Sequence, residues 1–395
     1  MVSSALFAPF SLRNARLGNR SVLAPMQMYM AEAGIVQDWH VHHLAKYAVG
    51  GFGLVFTEAL AVEERGRNTY GDLGVWHDGQ IDGLRRLADA VRMHGAVPAA
   101  QLWHSGPKAA RQRPWEGYGP LGAAEAERGE APWQPVAPSG EAKVTGWHAP
   151  RALTEAEVAG VIEAFAQGAR RCLEAGFDVI EVHAGHGYLV HSFYSPLGND
   201  RDDAFGGSLD RRMRFPVEVA RAIRRFWPED KPLFFRLSCI DDAPDGWSLE
   251  DSIELAAHLK AEGVDLIDCS SGGIGAPPTL GSAPRPHGFQ VPFAATLRAA
   301  TGMPTMAVGL IRHAAHAEAI LAEGHADLIC IAREALFNPH WPLQAAVALE
   351  GEAGYRRWPA SYGWWLERRA RNLAKLDAAA NAGEPHLRSD RRETA

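Results

Sequence analysis

The stretch "FDVIEVHAGHGYLVHSFYSP", residues 177–196, opens as an apolar run and then delivers His183, His186, Tyr188 and His191 in quick succession. The opening run, "FDVIEVH" from Phe177, is one of a series. "RSVLAPM" from Arg20, "GLVFTEA" from Gly53 and "VPAAQLW" from Val97 precede it. "LFFRLSC" from Leu233, "VDLIDCSS" from Val264, "MPTMAVG" from Met303 and "ADLICIAR" from Ala326 follow it. All are close to continuously apolar and rich in β-branched residues, as parallel strands buried on both faces are.

Helical patterns with start and stop signals separate these runs. "LTEAEVAGVIEAFAQGARRCLEAG" offers Thr154 and Glu157 as a capping box and stops at Gly176. "SLEDSIELAAHLKAEG" starts at Ser248 and stops at Gly263, while Gly95 and Gly324 close two further patterns. Strand and helix alternate eight times without a break, which predicts an α/β chain folded as a single closed (β/α)8 TIM barrel. A doubly wound open sheet is the competitor, but it has fewer units, and the G-x-G-x-x-G fingerprint after the first strand is missing.

Two long interruptions stand out. Residues 104–153 form a Pro-, Gly- and Trp-containing insertion after the third strand, expected to cap one end of the barrel. Residues 271–292 form a second long loop after the sixth, and loops of this length in compact domains serve as lids or binding loops. The barrel is expected to span 1–366, followed by a C-terminal helix or tail over 367–395. Its last stretch, "DAAANAGEPHLRSDRRETA", is expected to be disordered.

The bulk properties are those of a globular protein, with 395 residues, 47% hydrophobic and 22% charged. A net charge of -7 argues against nucleic acid as a partner. No apolar stretch reaches the roughly 18 residues of a transmembrane helix, so no membrane partner is expected. The start "MVSSALFAPFSL" does not read as a signal peptide, and the expected compartment is the cytoplasm. The scattered Cys172, Cys239, Cys269 and Cys330 form no CxxC pair and hold no disulfide scaffold or iron–sulfur cluster.

Barrel enzymes keep their reactive groups where strands end and loops begin. The first strand ends in Pro25, Met26, Gln27, Met28 and Tyr29, the second in Glu58 and Ala59, and the third in Gln101 and His104. The fourth ends in His183, His186 and Tyr188, the fifth in Arg236, the seventh in "AVGL" (307–310) and the eighth in "IAR", closing on Arg333. Small residues after strands six to eight, Ser270, Ser271, Gly272 and Gly273 among them, can turn backbone N–H groups toward a phosphate gripped by Arg333. The alternative is ordinary tight turns. Arg236 requires an anion, either a ligand or a structural partner such as Glu58 or Glu181.

For the opening stretch three readings compete. His183, His186 and His191 could ligate a metal, but no cysteine or second carboxylate accompanies them, so no metal is expected. They could simply cap the barrel rim. The third reading has two imidazole N–H groups holding a substrate oxygen as negative charge develops, with Tyr188 donating a proton. That is a site for polarising a carbonyl.

These residues resemble the old yellow enzyme family of FMN-dependent ene-reductases, particularly its bacterial xenobiotic-reductase branch. The resemblance rests on "APMQMY", "GFGLVFTEA", "QLWHSG", "GFDVIEVHAGHGYLVHSFYSPLGNDRDDAFGGS" and "VDLIDCSSGG", in that order, and runs from "SALFAPFSLRNARLGNR" to "WLER". It implies an FMN-binding barrel in which Pro25, Met26, Gln27, Ala59, Gln101 and Arg236 line the flavin ring. It also implies that Gly309, Ala332 and Arg333 take the phosphate. His183 and His186 would bind the carbonyl of an activated alkene, with Tyr188 or Tyr29 near the carbon to be protonated. The family takes hydride from NADPH or NADH onto the flavin and passes it to the β-carbon of an α,β-unsaturated carbonyl, in ping-pong fashion.

Departures from the family pattern are Gln27 where the branch has cysteine, Pro107 in "HSGPK" where arginine is common, and Ala332 in place of glycine. The ending "RRWPASYGWWLERRA" resembles one in which a tryptophan, here Trp365, enters the substrate pocket of a neighbouring subunit. The alternative is packing on the barrel exterior. A homodimer is expected either way.

Three rival functions remain open. Amine or ring dehydrogenation or demethylation on the same barrel is kept alive by the missing cysteine at position 27. A flavin-free aldolase would want a lysine at a strand end, which Lys46, Lys108, Lys143, Lys231, Lys260 and Lys375 all avoid. A non-catalytic flavin sensor needs no proton donor of the Tyr188 kind.

Overall fold

A computed structural model describes residues 4–141, 146–274 and 285–381. Eight parallel strands close on themselves in sequence order. They are β1 (Ser21–Leu23), β2 (Leu54–Ala61), β3 (Val97–Trp103), β4 (Val179–Ala184), β5 (Leu233–Ser238), β6 (Leu266–Ser270), β7 (Thr305–Ala307) and β8 (Leu328–Ile331). The ring closes where Cys330 of β8 pairs with Val22 of β1. The helices α1 (Asp38–Val49), α2 (Ile81–Met93), α3 (Glu155–Glu174), α4 (Leu209–Arg224), α5 (Leu249–Ala261), α6 (Val291–Thr301), α7 (Ala314–Ala322) and α8 (Trp341–Glu350) follow the strands in turn. Every apolar run read from the sequence carries one barrel strand.

The start and stop signals work as read. Thr154 Oγ1 accepts the Glu157 N–H while Glu157 returns a carboxylate oxygen to the Thr154 N–H, opening α3. Gly176 and Gly263 end α3 and α5 with φ of 91° and 84°, a region that side chains with a Cβ avoid.

Strand alternation sorts the buried residues into two sets. Ile180 and Val182 of β4, Phe235 and Leu237 of β5, and Ile267 and Cys269 of β6 face the helices. Val179, Phe234, Leu266, Ala99, Phe56 and Met306 face inward and fill the amino-terminal end of the barrel. An N-terminal hairpin, Phe10–Leu12 with Ala15–Leu17, packs Ala15 and Leu17 onto that inner cluster. One repeat further along, the same inward faces carry Gln101, Glu181, Arg236 and Asp268, and beyond them Trp103, His183 and Ser270. The barrel is therefore apolar at its base, charged in the middle and aromatic and basic at the carboxyl end.

The insertion after β3 holds short turns, the helix Ala123–Glu127 and a two-stranded sheet pairing Val136–Ala137 with Arg151–Ala152. Within the second long loop, residues 275–284 lie outside the described residues, as do 382–395 of the tail. The helix Ala360–Asn381 runs without a break across the expected boundary at 366. Residues 377–381, expected to be disordered, form its end instead, because the consecutive alanines 378–380 are strong helix formers. No described helix is long and apolar enough to cross a membrane.

Candidate active site

At the carboxyl end of β4, His183 Nε2 and His186 Nδ1 converge to 3.3 Å. Both positions are set by the backbone around them. Gly185 N–H donates to His183 Nδ1, which places the His183 proton on Nε2. His186 sits at φ 58°, held by its own N–H to Ser238 Oγ at 2.8 Å and by Lys108 Nζ, which donates to its carbonyl at 2.7 Å.

His186 Nε2 lies 2.6 Å from Ser270 Oγ, and that oxygen already accepts a hydrogen from Gln290 Nε2 at 3.2 Å. The Ser270 hydroxyl is free to donate to His186 Nε2, and in that arrangement the His186 proton sits on Nδ1. Two N–H groups then point at one place. Burial, with Arg236 beyond, lowers both imidazoles well below their ordinary pKa, so both are neutral.

Tyr188 stands over this pair, its ring centre 5.0 Å from that of His183 and 4.6 Å from that of Trp103. Tyr29, at φ 58°, packs edge-on against Trp115 of the insertion. Burial raises the pKa of both phenols far above the ordinary value, so each keeps its proton.

Gln27 Oε1 accepts the Ala59 N–H at 2.7 Å, bridging the ends of β1 and β2, while its Nε2 is buried without a partner. Glu58, whose carboxylate lies 3.3 Å from the Met28 N–H and 3.3 Å from His40, braces the segment that carries Pro25 and Met26. Gln101 Nε2 donates to Glu181 at 2.7 Å. Arg236 faces Asp268 at 3.2 Å, so its ion-pair partner is neither Glu58 nor Glu181, the structural alternatives read from the sequence. Strand pairing explains the choice, since Arg236 lies opposite Asp268 on the adjacent β6. Burial alone would lower the Arg236 pKa, but Asp268 holds it above its ordinary value.

Gly309, at φ 116°, ends β7, where a Cβ would come within 3.0 Å of Gln290 Oε1. Ala332 caps the short helix Arg333–Phe337, and Arg333 is exposed at its start. The Gly272 N–H, read as a phosphate donor, is instead used by the Ile240 carbonyl at 2.7 Å.

Some expected site residues lie apart from this set, and others had gone unread. Trp365 is on the outer helix, 66% exposed and edge-on to Trp364. His191, with Nε2 2.8 Å from Asp241 and Nδ1 accepting the Gly187 N–H, is a buried structural residue. Lys108, set aside as distant from the strand ends, reaches the loop above β4 from the insertion. Ser270 and Asp268 had gone unread in these roles; the period-2 inward pattern on β6 was the available signal.

A closed parallel barrel presents two neutral imidazoles, two protonated phenols and a buried arginine at its carboxyl end, a set able to polarise the oxygen of a small molecule. The chain belongs to the NADH:flavin oxidoreductase / NADH oxidase family, whose model matches residues 5–352. It is 42% identical over 350 residues to an NADPH dehydrogenase of Geobacillus sp. (strain WCH70), covering 88% of this chain and 95% of that protein. It is 40% identical to an NADPH dehydrogenase of Listeria monocytogenes serotype 4b (strain CLIP80459), over 90% and 99% of the two chains.

Among solved structures, morphinone reductase in complex with tetrahydroNAD superposes with a TM-score of 0.69 at 25% identity, over 87% of this chain and 90% of that one. A 2-naphthoyl-CoA reductase complex gives 0.77 at 27%, over 88% of this chain, which spans about half (52%) of the reductase chain. The activity is that of an FMN-dependent NAD(P)H oxidoreductase of the old yellow enzyme type.

The residues present suit FMN. Gln27 Nε2 is a buried donor with no partner, Arg236 brings a permanent positive charge, and a Cβ at Gly309 would crowd Gln290 and Phe289 at a φ of 116°.

Proposed function

We propose that the protein is an ene-reductase, reducing the C=C bond of an α,β-unsaturated carbonyl compound with NADPH or NADH as hydride donor. The observation that carries this reading is the convergence of His183 Nε2 and His186 Nδ1. Two N–H donors aimed at one point form a pocket for an oxygen that gains negative charge, and such preorganised donors stabilise it most in a water-poor site. A hydride sensor or scaffold has no use for this pair.

In this reading Pro25, Met26, Gln27, Ala59, Gln101 and Arg236 hold the FMN ring, and Gly309, Ala332 and Arg333 its phosphate. When bound, FMN would supply the hydride-transfer chemistry that links NAD(P)H to the β-carbon of the alkene in two separate half-reactions. His183 and His186 grip the carbonyl oxygen and draw electron density from the alkene. Tyr188, or Tyr29 across the pocket, gives a proton to the α-carbon. The buried faces of Trp103 and the insertion exclude water from the charged oxygen. Gln27 carries no thiol, so its amide acts by hydrogen bonding alone. A homodimer that brings Trp365 to a neighbouring pocket, in a cytoplasmic enzyme, belongs to the same reading.

Anaerobic stopped-flow spectroscopy tests it. Flavin reduced by NADPH or NADH and mixed with 2-cyclohexenone should return to the oxidised spectrum with cyclohexanone as product. His183→Ala should slow that return by about 10²–10³-fold. A flavin that is reduced by the nucleotide but ignores every activated alkene would move the function to amine or ring oxidation.

A further inference from the structure

The insertion that roofs the site carries two cations inside the protein. Lys108 is 4% exposed and Arg111 is 3% exposed. Lys108 Nζ donates to the carbonyls of His186 at 2.7 Å and Gly273 at 2.5 Å, and it lies 5.6 Å from the centre of the Tyr188 ring. The Arg111 guanidinium is sandwiched 3.6 Å from the Tyr118 ring centre and 4.0 Å from that of Trp147. Arg111 Nη2 donates to the Tyr118 carbonyl, and its Nε is buried with no acceptor.

Among the described residues no carboxylate forms an ion pair with either side chain. Residues 142–145 and 275–284 contain no Asp or Glu in their sequence. The other buried arginines among the described residues have such a partner, Arg236 in Asp268 and Arg67 in Glu64.

A buried charge without a counter-ion is costly, because the protein interior does not replace its hydration. Two aromatic faces return part of this cost, and carbonyl oxygens offset part of the rest. The imbalance is visible at both groups. Burial lowers the Arg111 pKa, and burial together with Arg111 pushes Lys108 down to about 7. The phenols of Tyr118, Tyr188 and Tyr29 are near enough to Arg111 for their charges to act on it. Lys108, 5.6 Å from the Tyr188 ring centre, places this uncompensated charge at the border of the pocket assigned to the substrate.

We propose that the substrate carries a carboxylate in addition to its reacting enone, and that this carboxylate is seated under the roof against Arg111 and Lys108. The inference rests on the ene-reductase reading. The planar guanidinium suits a planar carboxylate through charge-assisted hydrogen bonds, while the rings on either side keep it from folding away. A neutral enone leaves both cations unpaired, so the site discriminates by charge as well as by shape.

The test uses the FMN-loaded enzyme with two matched acceptors, 4-oxocyclohex-2-ene-1-carboxylate and its methyl ester, alongside 2-cyclohexenone. The carboxylate should show a kcat/KM higher than the ester by on the order of tenfold or more. Arg111→Met should bring that ratio close to one, and Arg111→Lys should restore part of it.

A second measurement needs no turnover and no catalysis. 4-Hydroxybenzoate and 4-hydroxybenzamide are titrated into oxidised enzyme while the flavin absorbance is followed. The benzoate should bind more tightly, and Arg111→Met should remove the difference. Equal affinities, or a preference that survives the substitution, would overturn the proposal. So would an effect of Arg111→Met confined to the step with NADPH, since the charges would then serve the phosphates of the hydride donor. If 2-cyclohexenone is not reduced at all, the ene-reductase reading fails, and the benzoate titration still decides whether the roof is an anion site.

Discussion

Ser270 Oγ lies 2.6 Å from His186 Nε2 and takes a second hydrogen bond from Gln290. When the hydroxyl donates to the imidazole, the proton of His186 sits on Nδ1, toward His183. Ser270 is thus a positioning residue for the carbonyl-binding pair. Ser270→Ala frees His186 to adopt the other tautomer, and turnover of 2-cyclohexenone should fall by about tenfold, up to the 10²-fold expected for a lost donor. The ¹⁵N chemical shifts of His186 would show the tautomer directly; an unchanged Nδ1–H signal in the variant would refute this account.

The carboxylates in the middle of the barrel are not equivalent. Burial and the charge of Asp268 hold Glu181 well above the usual carboxylate range, so it is neutral. Burial raises Asp268 too, but Arg236 at 3.2 Å opposes this, and Asp268 carries the charge. Asp268→Asn leaves Arg236 uncompensated and should shift the midpoint potential of bound FMN to more positive values. Glu181→Gln should leave the potential in place. Spectroelectrochemistry of the two variants decides the matter, and equal shifts would contradict the assignment.

His43 predicts an acid limit to stability. Its ring stacks on Trp39 at 4.6 Å, and burial, then Lys46 and His40, push its pKa down to about 3. The unfolded chain binds a proton at an ordinary histidine pKa near 6.5, so between about 6.5 and 3 it holds more protons than the fold. This contribution to stability is complete above pH 6.5 and is lost as pH falls through that window. His43→Phe should flatten the fall of Tm between pH 6.5 and 4, measured by calorimetry.

Gly187 tests the packing of the catalytic loop. A Cβ there would come within 2.1 Å of the Gly273 carbonyl and 2.9 Å of Lys108, at a φ of 71°. Gly187→Ala should cost about 1–3 kcal/mol through backbone strain alone and should separate the loops that Lys108 ties together. A lowered Tm with a faster loss of FMN on dilution is the expected result, and a variant that melts like the parent would argue that the two loops yield easily.

The sequence alone determined the eight strands and the caps of α3 and α5. It determined the positions of His183, His186 and Tyr188 as well, because apolar runs, capping residues and glycine stops act over a few neighbouring residues. It also carried, in the period-2 alternation of β4, β5 and β6, the layer that holds Glu181, Arg236 and Asp268. Only the tertiary structure decided which charge met which. Arg236 faces Asp268 because β5 and β6 are neighbours in a fixed register, and no local pattern reports that register. Lys108 reaches His186 over a separation of 78 residues because the insertion folds back across the barrel. Such partners are chosen by chain topology, and burial then gives them their pKa and their chemistry.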